Sequence, residues 1–426
     1  MKSIPFTLIA PLTLAVSLLA AEPPSPLAPY TGPIVRGVDT STLTGKVMAG
    51  YQGWFNCEGD GAGLGWVHWS RSKKKVMGPD TVRVDLWPDV SEYAPEELFN
   101  TDFKLADGSP AKVFSSHNNA TVLRHFEWMR IYSIDGAFVQ RFAHGLKSEL
   151  GRHHKDVVLA NCREGANRSG RAYAVMYDLS GLEAGEVSCV IDDWKMLREK
   201  MRMGHDPAYL QHRGKPLVAV WGVGFKDNSY TLAECHALIE FLKSDGCSVM
   251  LGVPTGWREL NRDAVPDPAL HETLKLADVI SPWTPGRYRN PKEAARHGTK
   301  YWQPDGEWCR EQSIDYLSVV FPGFSWHNMK PEAALNQIPR LKGEFLWSQF
   351  VAAKTAGAQM IYVAMFDEVD EATAIFKCTN ILPTGPTQFL DYEGLPSDHY
   401  LWLTGQGANL LRGKLPLQTK LPSRNP

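Results

Sequence analysis

One pattern constrains this chain more than any other: short, nearly unbroken apolar runs alternate with longer stretches of helical periodicity. The runs cover residues 47–51 (VMAGY), 137–142 (AFVQRF), 172–177 (AYAVMY), 217–221 (LVAVW), 248–252 (SVMLG), 279–283 (VISPW), 317–321 (LSVVF) and 360–366 (MIYVAMF). Strands apolar on both faces belong to parallel sheets covered by helices on each side. Between them, Val122, Phe126 and Met129 mark a helical stripe within 121–132, and further helices are expected over 182–202, 232–243, 270–276 and 338–355. Eight such units predict an α/β fold, a (β/α)8 TIM barrel, as a single elaborated domain. No Gly-x-Gly-x-x-Gly opens a helix after an early strand, which disfavours a dinucleotide fold. Residues 52–118 read as one long excursion after the first strand, in which 82–87 (VRVDLW) or 112–115 (KVFS) could add a strand.

The last run ends abruptly in Asp367, Glu368, Asp370 and Glu371. Like charges this close repel unless solvated, paired or used. A solvated acidic turn is the plain reading. Catalytic acids delivered by a barrel strand are the other, because residues just past each strand converge on one mouth. The converging set includes Gln52, Trp54, Gln140, Arg141, Asp178, Trp221, Trp283, Trp326 and His327, joined by His68 and Trp69 from the excursion. Aromatics, amides and carboxylates together suit a saccharide cleft, and 14 tryptophans supply stacking faces for sugar rings. Plainer roles are also open: Trp221 and Trp283 as core, Asp178 as a helix cap, Arg141 as partner to a mouth carboxylate.

Composition narrows the partners. With 45 basic and 47 acidic residues, the chain has no charge bias toward nucleic acid. Residues 1–21 read as a signal peptide, so a secreted or periplasmic protein is expected, with no integral membrane segment in the mature chain. Residues 22–33 read as a proline-rich linker and 34–426 as the catalytic domain. Seven cysteines form no CxxC pair, His153-His154 lies in a basic setting, and the acidic cluster lacks a spaced calcium loop. No metal or cofactor is expected.

The segments GYQGWF (50–55), HW (68–69), DLWPDVSEY (85–93), IDGAFVQRF (134–142), VMYDLSG (175–181) and FDEVDEATAIF (366–376) resemble the glycoside hydrolase family 99/71-like superfamily, the endo-α-mannosidase-like barrels. They are most similar to a bacterial subgroup labelled xylosidase/arabinosidase. In family 99 the last strand ends in Asn-Glu-Trp-His-Glu-Gly-Thr, whose two glutamates are the catalytic pair. The run here is Asp367-Glu368-Val369-Asp370-Glu371-Ala372-Thr373, with the glutamate spacing kept and the Trp-His replaced by Val-Asp. The resemblance implies that Glu368 takes a proton from the sugar 2-hydroxyl, giving a 1,2-anhydro sugar, and that Glu371 protonates the leaving oxygen and then activates water.

Three functions compete on this reading. The first is an exported hydrolase of poly- or oligosaccharides. The second is a non-catalytic carbohydrate-binding barrel. The third is a metal-dependent hydrolase using His68, Asp85 or Asp89.

Overall fold

The computed structural model describes residues 25–424. The signal peptide assignment and residues 22–24 of the linker lie outside them. Residues 25–33 form turns without helix or strand.

Eight parallel strands form the barrel: β1 (Val47–Tyr51), β2 (Gly136–Phe142), β3 (Ala172–Asp178), β4 (Lys215–Trp221), β5 (Ser248–Val253), β6 (Val279–Pro282), β7 (Asp315–Tyr316 with Ser318–Val320) and β8 (Ile361–Val363). Each pairs with the next, and β8 returns to β1 through Val47–Ile361 and Met48–Tyr362. The closing strand is β7. Its first half pairs with β6 and its second half with β8, interrupted at Leu317. The apolar runs therefore predict all eight barrel strands.

Helices α1 (Asn119–Ile131), α2 (Glu149–Ser169), α3 (Ser188–Lys200), α4 (Leu232–Ser244) and α5 (Ala269–Leu274) follow β1 to β5. The sixth unit carries α6 (Pro291–His297) and α7 (Gln303–Glu311), joined by a π-helical turn, Gly298–Trp302. α8 (Glu344–Thr355) follows β7. Local sequence sets these ends: Asn118 caps α1, Ser148 caps α2, and Thr231 with Glu234 forms a capping box on α4. α9 (His399–Leu411) follows β8 and packs on α8, and Gly405 lies so close to Tyr132 at the end of α1 that a Cβ would meet its carbonyl oxygen at 2.2 Å. It is thus the eighth helix of the ring. None of the helices among the described residues is long and apolar enough to cross a membrane.

The excursion holds an antiparallel hairpin, Leu98–Lys104 with Pro110–Phe114. Residues 112–115 therefore lie in and beside a hairpin outside the barrel. Residues 82–87 form only isolated bridges, Ser70–Val82 and Leu86–Leu390. They stitch the excursion to the loop after β8, with Asp85 N–H donating to Val369 O at 3.1 Å and Leu390 N–H to Asp85 O at 2.7 Å. Trp66, Trp69, Trp87 and Phe114 from the excursion join the same apolar core as the barrel strands.

Candidate active site

β8 and β1 are locked together at the mouth by Asp367. Its Oδ1 accepts the Gln52 N–H at 2.8 Å and its Oδ2 the Gly53 N–H at 2.9 Å. Gly53 takes φ +58 to present that N–H, and a Cβ there would also meet Val158 at 2.6 Å. Gly50, one turn of pleat earlier, leaves room for Tyr362 and Met365, which a Cβ would meet at 2.1 and 2.2 Å. The GYQG segment is thus shaped around β8.

Glu368 is buried, and both its oxygens accept hydrogen bonds: Oε1 from Gln52 Nε2 at 2.7 Å, Oε2 from Thr373 Oγ1 at 2.6 Å. Burial raises its pKa well above the usual carboxylate value, helped by the charges of Glu371 and Asp370 and opposed by those two bonds. Glu371 is half-buried and its carboxylate has no hydrogen-bond partner among the described residues. Desolvation, then Asp370, raises its pKa to about 7, against the pull of Arg83 and Lys330. Both carboxyl groups are thus pushed toward keeping a proton at higher pH than an ordinary glutamate.

Asp370 is fully buried. Its Oδ2 accepts the His68 Nδ1–H at 2.8 Å, Arg83 Nε lies 3.5 Å away, and its Oδ1 has no partner. His68 adopts φ +61 and its ring lies flat on Trp54, 3.7 Å between centroids and 5° between planes. With its Nδ1 proton on Asp370, its Nε2 is left as an acceptor.

Gln140 reaches the barrel interior, where Nε2 donates to the Tyr362 hydroxyl at 3.0 Å. Trp221 and Trp283 are edge-to-face at 5.5 Å, half-buried, and lie at the mouth rather than in the closed core. A cavity of about 410 Å³ opens beside Glu371, lined by Trp283, Phe324, Trp326 and Gln337, with Arg287 and Arg289 on its wall. Around this mouth, Gln52 Oε1, Trp54 Nε1, Gln140 Oε1, Trp221 Nε1, Gln337 Oε1 and Asp370 Oδ1 are buried polar atoms without a hydrogen-bond partner among the described residues.

Four expected site residues stand elsewhere or in other roles. Arg141 is only 2% exposed and binds Asp193 of α3 and Asp156 of α2, each at 2.6 Å. Side chains alternate along a strand, so Gln140 points into the barrel and Arg141 outward to the helices. Trp69 is fully buried, with its indole N–H donating to Phe114 O at 2.9 Å. It is core, facing away from its neighbour His68. His327 is a loop brace, its backbone N–H on Asp85 and its Nδ1–H on Ala333 O at 2.7 Å. Asp178 caps no helix, since α3 begins at Ser188. Its Oδ1 holds the turn through Ser180 N–H at 2.8 Å, and burial lifts it to about 6.

Asp85 is committed to the loop after β7, accepting from Ser325 Oγ at 2.5 Å and from the N–H groups of His327 and Asn328 at 2.7 Å each. Among the described residues, no group of three or more His, Cys, Asp or Glu side chains is arranged to hold a metal ion. Arg83, Tyr362 and Lys330 escaped the sequence reading. Only the tertiary fold brings them to the glutamates.

No protein-family model and no curated protein sequence matches the chain. The fold is similar to that of the GH99 endo-α-mannosidase from Bacteroides thetaiotaomicron, with a TM-score of 0.64 and 16% identity over 87% of this chain and 99% of that one. A structure of the same enzyme with Bis-Tris-propane gives a TM-score of 0.63, also at 16% identity, over 87% of this chain and 99% of that one. A glycoside hydrolase-like protein gives 0.52 at 12% identity, over 90% and 98%. The chain therefore has the fold of the GH99-type barrels, an elaborated (β/α)8 barrel.

Proposed function

We propose that this protein is a glycoside hydrolase acting on poly- or oligosaccharides, with Glu368 and Glu371 as its catalytic pair. The observation that carries this reading is the mouth itself. Two carboxyl groups with raised pKa values stand beside an aromatic cavity, ringed by buried amide, indole and carboxylate atoms that have no partner among the described residues. Buried polar groups are almost always hydrogen-bonded. A sugar, with a hydroxyl on nearly every carbon and an apolar C–H face, supplies both kinds of contact. The similarity of fold to a GH99 endo-α-mannosidase supports the same reading.

Access supports a division of roles. Glu371 lines the cavity and carries no internal bond, so it is free to protonate a leaving oxygen and later to activate water. Glu368 is held at both oxygens and accepts the proton of the sugar 2-hydroxyl, whose oxygen then attacks C1 and gives a 1,2-anhydro sugar. Gln52 suits that task. Its Nε2 donates to ionised Glu368, and half a turn of the amide would offer the unpartnered Oε1 to the protonated form. His68, oriented by Asp370 and stacked on Trp54, presents Nε2 to a substrate hydroxyl. Residues 1–21, as a signal peptide, would export the enzyme to its polymer.

The test is a screen of the purified protein and its Glu371→Gln variant on plant, fungal and algal polysaccharides, reading released oligosaccharides by chromatography. Release by the wild type alone is expected. Tight glycan binding with no release from any polymer would favour a non-catalytic carbohydrate-binding barrel.

A further inference from the structure

The cleft carries a charge pattern that hydrolysis of a neutral sugar does not use. Glu371 is the single carboxylate lining the cavity beside it, against two arginines, Arg287 and Arg289. Arg287 is matched by Asp263 at 2.7 Å. Arg289 is exposed and its guanidinium makes no ion pair among the described residues, while its backbone N–H donates to the Glu293 carboxylate at 2.8 Å. Lys330 is likewise unmatched; its Nζ lies 3.7 Å from the ring centroid of Trp326, which lines the same cavity. Arg83 reaches Asp370 only at 3.5 Å and its Nε has no hydrogen bond. Across the mouth, Lys155 of α2 lies over the ring of Phe142 at 5.8 Å, and Phe142 packs on Trp54 at 4.9 Å. Lys155 also has no ion pair among the described residues.

Unmatched cations beside a general acid work against it, because they favour its ionised form. Lys330, unpaired among the described residues, and Arg83, whose one ion pair is the 3.5 Å contact with Asp370, act on Glu371 in that sense. Their placement is accounted for if the occupant brings its own negative charge. Many cations elsewhere on the surface are also unpaired; those at the mouth differ in standing around one cavity, Arg289 on its wall and Lys330 over Trp326, beside Glu371. In a cleft with low-dielectric walls their fields add.

We propose that the cleft takes an anionic glycan, whose carboxylate or sulfate groups are held by Arg289 and Lys330 beside Glu371 and by Lys155 across the mouth. This rests on the glycoside hydrolase reading of the site, yet binding alone can test it. In the Glu371→Gln variant, affinity is measured by calorimetry for polygalacturonate against its carboxyl-reduced form, and for a sulfated galactan against its desulfated form. One polyanion is expected to bind at least tenfold more tightly than its neutral counterpart, and which pair shows the difference tells carboxylate from sulfate. The preference should shrink as salt rises. Adding Arg289→Ala and Lys330→Ala should cost about tenfold or more on that polyanion and leave neutral polymers unaffected, about what the loss of two charge-assisted contacts allows. Lys292→Ala with Lys420→Ala, which line an outer cavity between α6 and α8, should change nothing. Equal binding of charged and neutral forms, failure to bind either polyanion, or indifference to the double substitution would overturn the inference. Cleavage of a neutral glycan with no charge preference would leave the hydrolase standing without it. Polyanion binding without cleavage would do the reverse.

Discussion

Among the described residues Glu371 has no hydrogen-bond partner on its carboxylate, while Glu368 has two, and that difference separates their variants. In the proposed roles Glu371→Gln removes the acid and Glu368 is the base, so in Glu371→Gln hydrolysis of substrates with poor leaving groups should fall by about 10²–10⁴, while aryl glycosides with good leaving groups keep most of their rate of bond cleavage. Glu368→Gln removes the base that generates the nucleophile and should slow both substrate types alike, as steady-state kinetics on the two would show. The pH dependence follows from the raised pKa of Glu371, about 7. Raising the pH through that value ionises Glu371 and removes the acid. kcat/KM should therefore fall tenfold per unit above about pH 7, and for an aryl substrate the limb should vanish in Glu371→Gln. Both glutamates are visible in the sequence because a strand end and a spacing mark them. Trp69 and Arg141 are misplaced by the same sequence because each adjoins a true mouth residue, and a one-residue step reverses the facing of a side chain. Arg83 leaves no trace in the sequence, since its role comes from a contact with Asp370 nearly three hundred positions away.

The loop after β7 is held by the excursion rather than by its own strand. Asp85 accepts three hydrogen bonds from Ser325, His327 and Asn328, and Asn328 Nδ2 donates to Val84 O at 3.0 Å. That loop carries Phe324 and Trp326 to the cavity wall. Asp85→Ala leaves buried donors without acceptors and should lower stability by about 3 kcal/mol, on the scale of 1–3 kcal/mol per orphaned group with partial relaxation. It should also raise KM for a glycan well beyond any change in kcat, because the aromatic wall loosens while the glutamates stay on β8. Urea unfolding and steady-state kinetics check the two effects. An unchanged KM would mean that Trp326 does not contact substrate. Residues 82–87 read as a strand because they alternate like one. In the fold their backbone hydrogen bonds go to Trp69, Val369, Thr379 and Leu390, which periodicity cannot reveal.

The seam of the barrel lies where β8 meets β1, and α9 covers it. The sequence shows a short helix over 399–403 in a tail without a core of its own. In the fold the helix runs to Leu411, with Tyr400, Leu401, Leu403, Ala408 and Leu410 among its buried residues. The periodicity is blurred because the helix is buried on most sides, between α8 and the end of α1, so no polar stripe marks it. Arg412, just past its end, pairs with Asp135 before β2 and donates from Nε to Gly45 O at 3.0 Å. Asp135 in turn accepts the Val47 N–H at 2.8 Å, which begins β1. The end of the chain thus fastens its first two strands. A protein ending at residue 398 would keep every barrel strand and both glutamates, yet it would expose the apolar seam and leave Asp135 without its arginine. Removing one partner of a buried pair alone costs about 3–5 kcal/mol, comparable to a large part of a domain's net stability. The truncated chain should fail to give a monomeric folded protein, running as aggregate in gel filtration without a cooperative thermal transition. Arg412→Ala in the full chain should fold with a lowered Tm. A stable, soluble barrel from residues 1–398 would show that α9 is an appendage and that the barrel closes without its eighth helix.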